Sequence, residues 1–325
     1  MLILNENDQR ELLEMNEVIE RTEDALVQYS QGNTITPIRA SLPFNEGENS
    51  FLVMPSVVNA SKNVGLKIVS VAPNNPGLGK KTINGVVMLS DYQTGEPIAL
   101  LEGSYLTKIR TGALSGVATK YLSRKKSRKF CIIGTGAQAA GLFDAIKAVR
   151  PIEEVFLYNR TRENAETFAE YLQEHNDLQV SLFDNPNDAM ENADIIVTAT
   201  NSLEPVFSAP LKEGTHINAV GSFKPAMQEL PFDAITNADK VVVESKPTAL
   251  EETGDLIHPI QAGVFSDEAI HGELGNIVSG KLPGREHEHE VTLFKSVGLA
   301  VVDIVIANYF YEKAVNKNKG KRFHL

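Results

Sequence analysis

The chain has 325 residues, a formal net charge of −11, 42% hydrophobic and 22% charged residues. That length accommodates two domains with a substantial core, and the acidic balance argues against non-specific binding to nucleic acid or anionic membrane, both polyanions. The single cysteine, Cys131, excludes an intrachain disulfide framework and fits a reducing, cytoplasmic compartment; inside an apolar strand it reads as a small hydrophobe.

The N-terminal Met1-Leu2-Ile3-Leu4-Asn5-Glu6 turns acidic at once, so no signal peptide is expected. Residues 9–29 predict one amphipathic helix, with Leu12, Leu13, Val18, Ile19, Ala25, Leu26 and Tyr29 near one face, ended by Gly32 and Asn33. Strand-like segments follow at 34–39, 51–54, 65–71, 85–91 and 98–102. Turn residues separate them, including Pro73-Asn74-Asn75-Pro76-Gly77 and Thr94-Gly95-Glu96-Pro97. This region predicts an α+β domain with a largely antiparallel sheet. Residues 106–122 predict a helix able to cross between domains, and the basic cluster Arg124-Lys125-Lys126-Ser127-Arg128-Lys129 reads as a solvated turn.

An apolar strand, Phe130-Cys131-Ile132-Ile133, then runs into Gly134-Thr135-Gly136-Ala137-Gln138-Ala139 and a helix-prone stretch at 141–149. In a Gly-x-Gly-x-x-Ala turn the first glycine permits the tight bend, the second lets backbone approach a pyrophosphate, and the alanine lets helix pack on strand. The helix start offers free N–H groups to phosphate. A second strand, 155–158, follows at βαβ distance. Its end carries Asn159-Arg160-Thr161 where an NAD binder usually places a carboxylate on the ribose. A guanidinium forks onto a 2′-phosphate, so NADP(H) is expected, with a solvated surface Arg160 as the plain alternative. Further strands at 194–198, 216–220 and 240–243 alternate with helices such as 162–175. The pattern predicts a Rossmann-type, doubly wound parallel sheet in an α/β protein. Thr198-Ala199-Thr200-Asn201 and Val220-Gly221-Ser222 end strands and are candidate cofactor loops, although plain turn chemistry accounts for Thr200 and Asn201 equally well. The apolar run 297–310 is interrupted by Asp303 and Asn308, too short and polar to span a bilayer. Residues 292–315 predict a long buried helix returning to the first domain, and the basic tail 317–325 is expected to fray. The expected division is 1–115 with 300–325 as a substrate-binding and dimerisation domain, and 116–299 as the dinucleotide domain.

Three cations stand out in the first domain. Arg39 ends a predicted strand, Lys67 lies within the apolar Val64-Gly65-Leu66-Lys67-Ile68-Val69, and Arg110 lies in Leu106-Thr107-Lys108-Ile109-Arg110-Thr111-Gly112-Ala113. A lone cation in an apolar strand is costly unless paired. Two arginines can clamp a carboxylate, and a desolvated lysine can donate a proton near neutral pH. Snorkelling or ordinary ion pairing is the alternative for each. His287 and His289 invite a metal hypothesis, but no cysteine or further histidine cluster supports it, so they read as a hydrated loop. Glu251-Glu252-Thr253-Gly254-Asp255 reads as a turn lining a cleft mouth or simply as surface.

Several segments together resemble the ornithine cyclodeaminase/mu-crystallin family. They are Met54-Pro55, Gly65-Leu66-Lys67, Thr94-Gly95-Glu96-Pro97, Leu106-Thr107 through Arg110-Thr111-Gly112-Ala113, the glycine turn, Asn218-Ala219-Val220-Gly221, Glu273-Leu274-Gly275 and Phe294-Lys295-Ser296-Val297-Gly298-Leu299-Ala300. The resemblance implies a homodimer joined through the non-Rossmann domain and an NAD(P)-linked reaction on a small amino or imino acid. It makes Arg39, Lys67 and Arg110 substrate-binding cations and places Thr111 near the cofactor phosphates. With Thr111, the expected cofactor contacts are Gly134, Gly136, Ala137, Gln138, Asn159, Arg160, Thr161, Thr198, Ala199, Thr200, Val220, Gly221 and Lys295. Cyclodeaminases and related alanine dehydrogenases resemble one another in an Asp after Asn-Ala-Val-Gly, where this chain has Phe223. Cyclodeaminases also carry a Glu just before Met-Pro, where this chain has Leu52. The Asn159-Arg160-Thr161 pattern looks like the mu-crystallin side. The expectation is an NADPH-dependent ketimine reductase acting on Δ1-pyrroline-2-carboxylate or Δ1-piperideine-2-carboxylate, with Lys67 as proton donor. The alternatives are ornithine cyclodeaminase, an alanine or N-substituted amino-acid dehydrogenase, and a non-catalytic small-molecule binder.

Overall fold

Alternating apolar and polar residues build the first sheet. The strands Asn49–Val58, Asn63–Val71, Ile83–Ser90 and Pro97–Glu102 pair antiparallel in chain order. The period of two puts Leu52, Met54 and Val58 of the first strand on the same buried side as Gly65, Lys67 and Val69 of the second. The helix Ala300–Lys317 covers that side. A Cβ on Gly65 would come 2.9 Å from the Ile304 side chain, so glycine lets the helix approach. This helix is buried on nearly every face of its first two turns, as a core helix should be.

The computed structural model describes residues 1–324, and the chain divides into two compact units. One is Met1–Arg110 together with the chain from Leu299 onward; the other is Thr111–Gly298. In the first unit three expectations are corrected. The single helix at 9–29 is two, Glu6–Leu12 and Met15–Ser30. The Tyr309 hydroxyl sits at the break, accepting from the Glu14 N–H (2.9 Å) and donating to the Leu12 carbonyl (3.0 Å). The strand at 34–39 is split into Thr34–Ile35 and Ala40–Phe44, with Pro37, which has no N–H to donate, between them. The C-terminal tail does not fray at its start. Lys321–Arg322 pairs antiparallel with Leu2–Leu4, which itself pairs parallel with Pro97–Glu102, and the Met1 amine donates to the Phe323 carbonyl at 3.0 Å.

The second unit is an α/β layer structure around eight parallel strands. Their spatial order is Gln179–Leu182, Glu154–Tyr158, Lys129–Ile133, Ile195–Thr198, His216–Ala219, Thr292–Lys295, Lys240–Val243 and Ile270–Glu273. Successive strands run outward from Lys129–Ile133 in both directions. That strand is therefore the topological switch point, where ligands of such sheets bind. The long helix expected over 292–315 is corrected here. Thr292–Lys295 is a fully buried strand inserted between His216–Ala219 and Lys240–Val243, and the helix starts only at Ala300, after Gly298 with φ of 94°. A short continuous apolar run suits a buried parallel strand as well as a buried helix, and periodicity does not separate them. Gln179–Leu182 and Ile270–Glu273 were not expected; both are short, partly polar sheet edges. Among the described residues no helix is long and apolar enough to cross a membrane.

The helix Gly103–Leu122 runs through the boundary between the units. Within the second unit its Gly112 meets Gly141 of the helix Ala139–Val149 backbone to backbone, and a Cβ on Gly112 would overlap the Gly141 carbonyl. Gly→Ala inside a helix ordinarily stabilises by about 1 kcal/mol. Gly112→Ala is expected to do the reverse, costing about 1–3 kcal/mol through overpacking. A thermal melt checks the sign: a melting temperature at or above the parent's would show that the helices are not held at this contact.

Candidate active site

The glycine turn has the shape its sequence requires. Gly134 takes φ of 103°, and a Cβ there would lie 2.6 Å from the Ala199 carbonyl oxygen, so only glycine fits. Its N–H donates to the Tyr158 carbonyl at 2.9 Å. Gly136 and Ala137 are exposed, and a Cβ on Gly136 would meet nothing within 4 Å, so the backbone there is open to a ligand. The Thr135 hydroxyl is buried without a hydrogen-bond partner among the described residues. Ala139 is buried at the start of the following helix, and Gln138 caps it with no side-chain hydrogen bond. An open backbone, an unused hydroxyl and an uncapped helix start together suit a phosphate group.

Asn159 is used differently from a ribose ligand. Its Oδ1 accepts the Thr135 N–H (3.0 Å) and its Nδ2 donates to the Thr161 carbonyl (2.8 Å), bracing the glycine turn against the next βα turn. Arg160 is exposed and has no hydrogen bond or ion pair among the described residues. Thr161 precedes the helix Arg162–His175 without capping it through its hydroxyl. The strand end thus presents donors and no carboxylate.

Beneath the two remaining loops lies a carboxylate that the sequence reading missed. Glu229 is fully buried. Its Oε1 accepts the Thr200 N–H (2.6 Å) and hydroxyl (2.8 Å); its Oε2 accepts the Thr198 hydroxyl (3.0 Å) and the Gly221 and Ser222 N–H groups (2.7 and 3.2 Å). A Cβ on Gly221 would overlap this carboxylate. Burial pushes the Glu229 carboxyl up, Lys295 pulls it down, and Asp255 pushes it up again. Asp255, expected at a cleft mouth or surface, is instead fully buried: it accepts the Glu229 and Leu230 N–H groups at 2.7 and 3.0 Å. Lys295 pairs with it at 2.8 Å. Lys295, expected among the cofactor contacts, has its ammonium wholly buried against Asp255. Thr198, also fully buried, likewise turns its hydroxyl to Glu229, whereas Ala199, Thr200, Val220 and Gly221 are half-buried. Lys295 was the available signal. A lone lysine in an apolar strand needs a buried anion, the argument applied to Lys67.

In the first unit Lys67 is 1% exposed on the inner face of its strand. Its Nζ lies 2.7 Å from Asp303 Oδ1, and Arg110 Nε lies 3.1 Å from the same oxygen. Burial lowers the Lys67 pKa from 10.5 to about 8; Asp303 opposes the shift, while Arg110 and half-buried Arg39 add to it. Two of the three predicted cations, Lys67 and Arg110, therefore meet at one carboxylate, and Arg39 is near enough to Lys67 to influence its charge. Asp303 was visible only as a break in an apolar run. Met54 lies opposite Lys67 in the sheet register, and Leu52 is buried on the same face one pair along. Thr111 is buried in the helix after Arg110.

The model of the ornithine cyclodeaminase/mu-crystallin family matches residues 1–318. The chain belongs to that family. Among members, it is 59% identical over 322 residues to a Δ1-pyrroline-2-carboxylate reductase of Bacillus cereus, covering 99% of each chain. Among solved structures it resembles the Thermococcus litoralis Δ1-pyrroline-2-carboxylate reductase in complex with NADH and L-proline, with a TM-score of 0.96, 39% identity and 99% and 100% of the two chains covered. It also resembles an archaeal alanine dehydrogenase dimer with bound NAD, with a TM-score of 0.93, 33% identity and 100% and 99% covered.

Removing Glu229 as Glu229→Ala strands buried donors on two loops, at about 1–3 kcal/mol for each donor left unsatisfied. A lower melting temperature is expected, with faster hydrogen exchange at the Thr200, Gly221 and Ser222 amides. Unchanged exchange at those three amides would show that the loops hold their shape without the carboxylate.

Proposed function

We propose that this protein is an NADPH-dependent imine reductase that converts a small cyclic 2-imino acid into the corresponding amino acid, Δ1-pyrroline-2-carboxylate or Δ1-piperideine-2-carboxylate into proline or pipecolate. The meeting of Lys67 and Arg110 at Asp303, with Arg39 close enough to act on the Lys67 charge, carries this reading, because it combines cations for an anionic group with a proton donor. The 59% identity to a Δ1-pyrroline-2-carboxylate reductase, and the Thermococcus litoralis relative in complex with L-proline, support the same substrate class.

The roles follow from the chemistry of each group. Arg39 and Arg110 orient the substrate carboxylate, as forked guanidinium groups do. Reduced nicotinamide, when bound at the glycine turn, supplies a hydride to the imine carbon. Lys67 donates its Nζ proton to the imine nitrogen as the C=N π pair is used, and the neutral amine is reprotonated from solvent. Positive charge around the site also polarises the imine before transfer. Leu52 and Phe223 give neither a partner for a second amine nor a base for oxidative deamination. They favour reduction over cyclodeamination or alanine dehydrogenation, and the proton donor favours catalysis over simple binding.

The choice of NADPH rests on Arg160, exposed and without a partner among the described residues at the strand end where a carboxylate would select NAD. A homodimer through the first unit is part of the proposal. Ile35 (63% exposed), Leu42 (55%) and Phe44 (42%) leave apolar surface there, and an archaeal relative is a dimer. A cytoplasmic location fits the lone buried thiol and the absence of a membrane-spanning helix among the described residues.

Oxidation of NADPH and NADH with each imino acid, beside ornithine with NAD as a control, tests the reading. NADPH-preferring turnover of a cyclic imino acid is expected. Ammonia released from ornithine without imine turnover would replace it with the lyase. Lys67→Ala should lower kcat about 10²–10⁴-fold, the usual contribution of a positioned acid, with dinucleotide binding kept. Arg160→Glu should weaken kcat/KM for NADPH about 10–100-fold while sparing NADH, the scale of a lost charge-assisted pair and its reversal; equal losses for both dinucleotides would remove Arg160 from selection.

The pH dependence has opposite signs for rate and stability. A proton donor must be protonated, so reduction should decline as pH rises through about 8. The folded pKa lies below the ordinary 10.5, so the folded chain holds fewer protons than the unfolded chain between about 8 and 10.5. The penalty for burying charged Lys67 is complete below about 8 and is relieved as pH rises through that window, so this group's contribution to stability increases there. Paired rate and melting measurements across that range separate loss of the proton from unfolding.

A further inference from the structure

We propose that Asp303 is a positioning residue for this reaction: it holds Lys67 as a charged, aimed proton donor and fixes Arg110 beside it. The proposal rests on the reading of Lys67 as proton donor given above.

The geometry is that of a shared anion. Oδ1 of Asp303 lies 2.7 Å from Lys67 Nζ and 3.1 Å from Arg110 Nε, and the carboxylate is fully buried. Arg110 faces this oxygen with Nε at 3.1 Å, near enough for an ion pair, although Nε makes no hydrogen bond among the described residues. Asp303 Oδ2 is buried with no hydrogen-bond partner among the described residues. A closed structural ion pair would satisfy both oxygens; this one retains an acceptor within the cluster. Asp303 also lies in the first turn of Ala300–Lys317, where the helix dipole favours an anionic side chain.

The groups facing Lys67 divide by sign. Arg110 on the helix Gly103–Leu122 and Arg39 after Thr34–Ile35 both favour the neutral amine, as does burial. The flanking strands Asn49–Val58 and Ile83–Ser90 contain no titratable side chain. Asp303, by charge and by hydrogen bond, favours the ammonium. Without it, a buried amine beside two guanidinium groups has no proton to give at neutral pH. One carboxylate between Lys67 and Arg110 still leaves excess positive charge, which an imino-acid carboxylate would meet.

Asp303→Asn keeps the shape and removes the charge. The expected result is that the alkaline limb of kcat/KM for imino-acid reduction moves to lower pH by at least one unit. The loss should be tenfold or more at pH 7.5 and partly recovered near pH 6, and KM for the imino acid should rise. A carboxylate that only supports the fold would lower activity equally at all pH values and leave the limb in place; that outcome overturns the proposal. A second measurement needs no substrate and no variant at Asp303. In the parent protein carrying 13C at lysine Cε and aspartate Cγ, the Lys67 signal should titrate near pH 8 and the Asp303 signal should move with it as the neighbouring charge is lost, and Lys67→Met should abolish that inflection at Asp303. Independent titration overturns the pairing even if Asp303→Asn does not fold. Joint titration without imino-acid turnover would keep the pairing and reject the function. Turnover with an unmoved limb would do the opposite.

Discussion

An ammonium group on the inner face of a β-sheet requires an anion beside it, and the first unit is arranged to supply one. Lys67 and Asp303 are separated by 236 residues, with the whole dinucleotide-type unit between them in sequence. The chain meets this requirement by returning its last helix over the sheet that its first hundred residues build. Gly65 lets Ile304 approach the strand, and the terminal segment Lys321–Arg322 adds to the sheet edge beside Leu2–Leu4. The discontinuity of the first unit is thus the means by which one buried carboxylate reaches two cations.

The second unit solves a related electrostatic problem. Two loops at strand ends, around Thr200 and Gly221, expose N–H groups that must be fixed without blocking the side open to ligand. Glu229 gathers these N–H groups and the Thr198 and Thr200 hydroxyls from below; Lys295 reduces the cost of placing that carboxylate in the core, while Asp255 adds to it. In both units a buried acid organises the groups expected to meet ligand. Asp303 lies 236 residues from Lys67, and Glu229 lies 7 to 31 residues from the groups it holds.

That distance explains what could be read from the sequence. The glycine turn, the parallel sheet and the three cations depend on local spacing or on a charge in an apolar strand, and these carry their own signal. Glu229, Asp255 and Asp303 lie in stretches whose local character is a polar turn or an apolar helix; only tertiary contact gives them meaning. The helix break at Glu14 depends on Tyr309, and the strand Thr292–Lys295 depends on a vacancy between two other strands, so neither could be found by periodicity. Lys295 is the instructive case. A lysine in an apolar strand must meet a buried anion here as at Lys67, and Asp255 is that anion, a partner that the family motif did not suggest.

The same family fold hosts reductases, dehydrogenases and cyclodeaminases, so the scaffold does not choose among them. What differs is the charge brought to the face around Lys67. A second carboxylate near Leu52 would pair with a distal amine and neutralise part of the anion clamp; Leu52 keeps that face apolar beside Met54. In the second unit, Phe223 likewise leaves an apolar side chain where a carboxylate would add a base. With neither present, Asp303 is the acid paired with the cluster, and it is already committed to Lys67 and Arg110. Lys67 and Arg110 carry two positive charges against this one carboxylate, so a negatively charged ligand group suits the face better than one that brings a further cation.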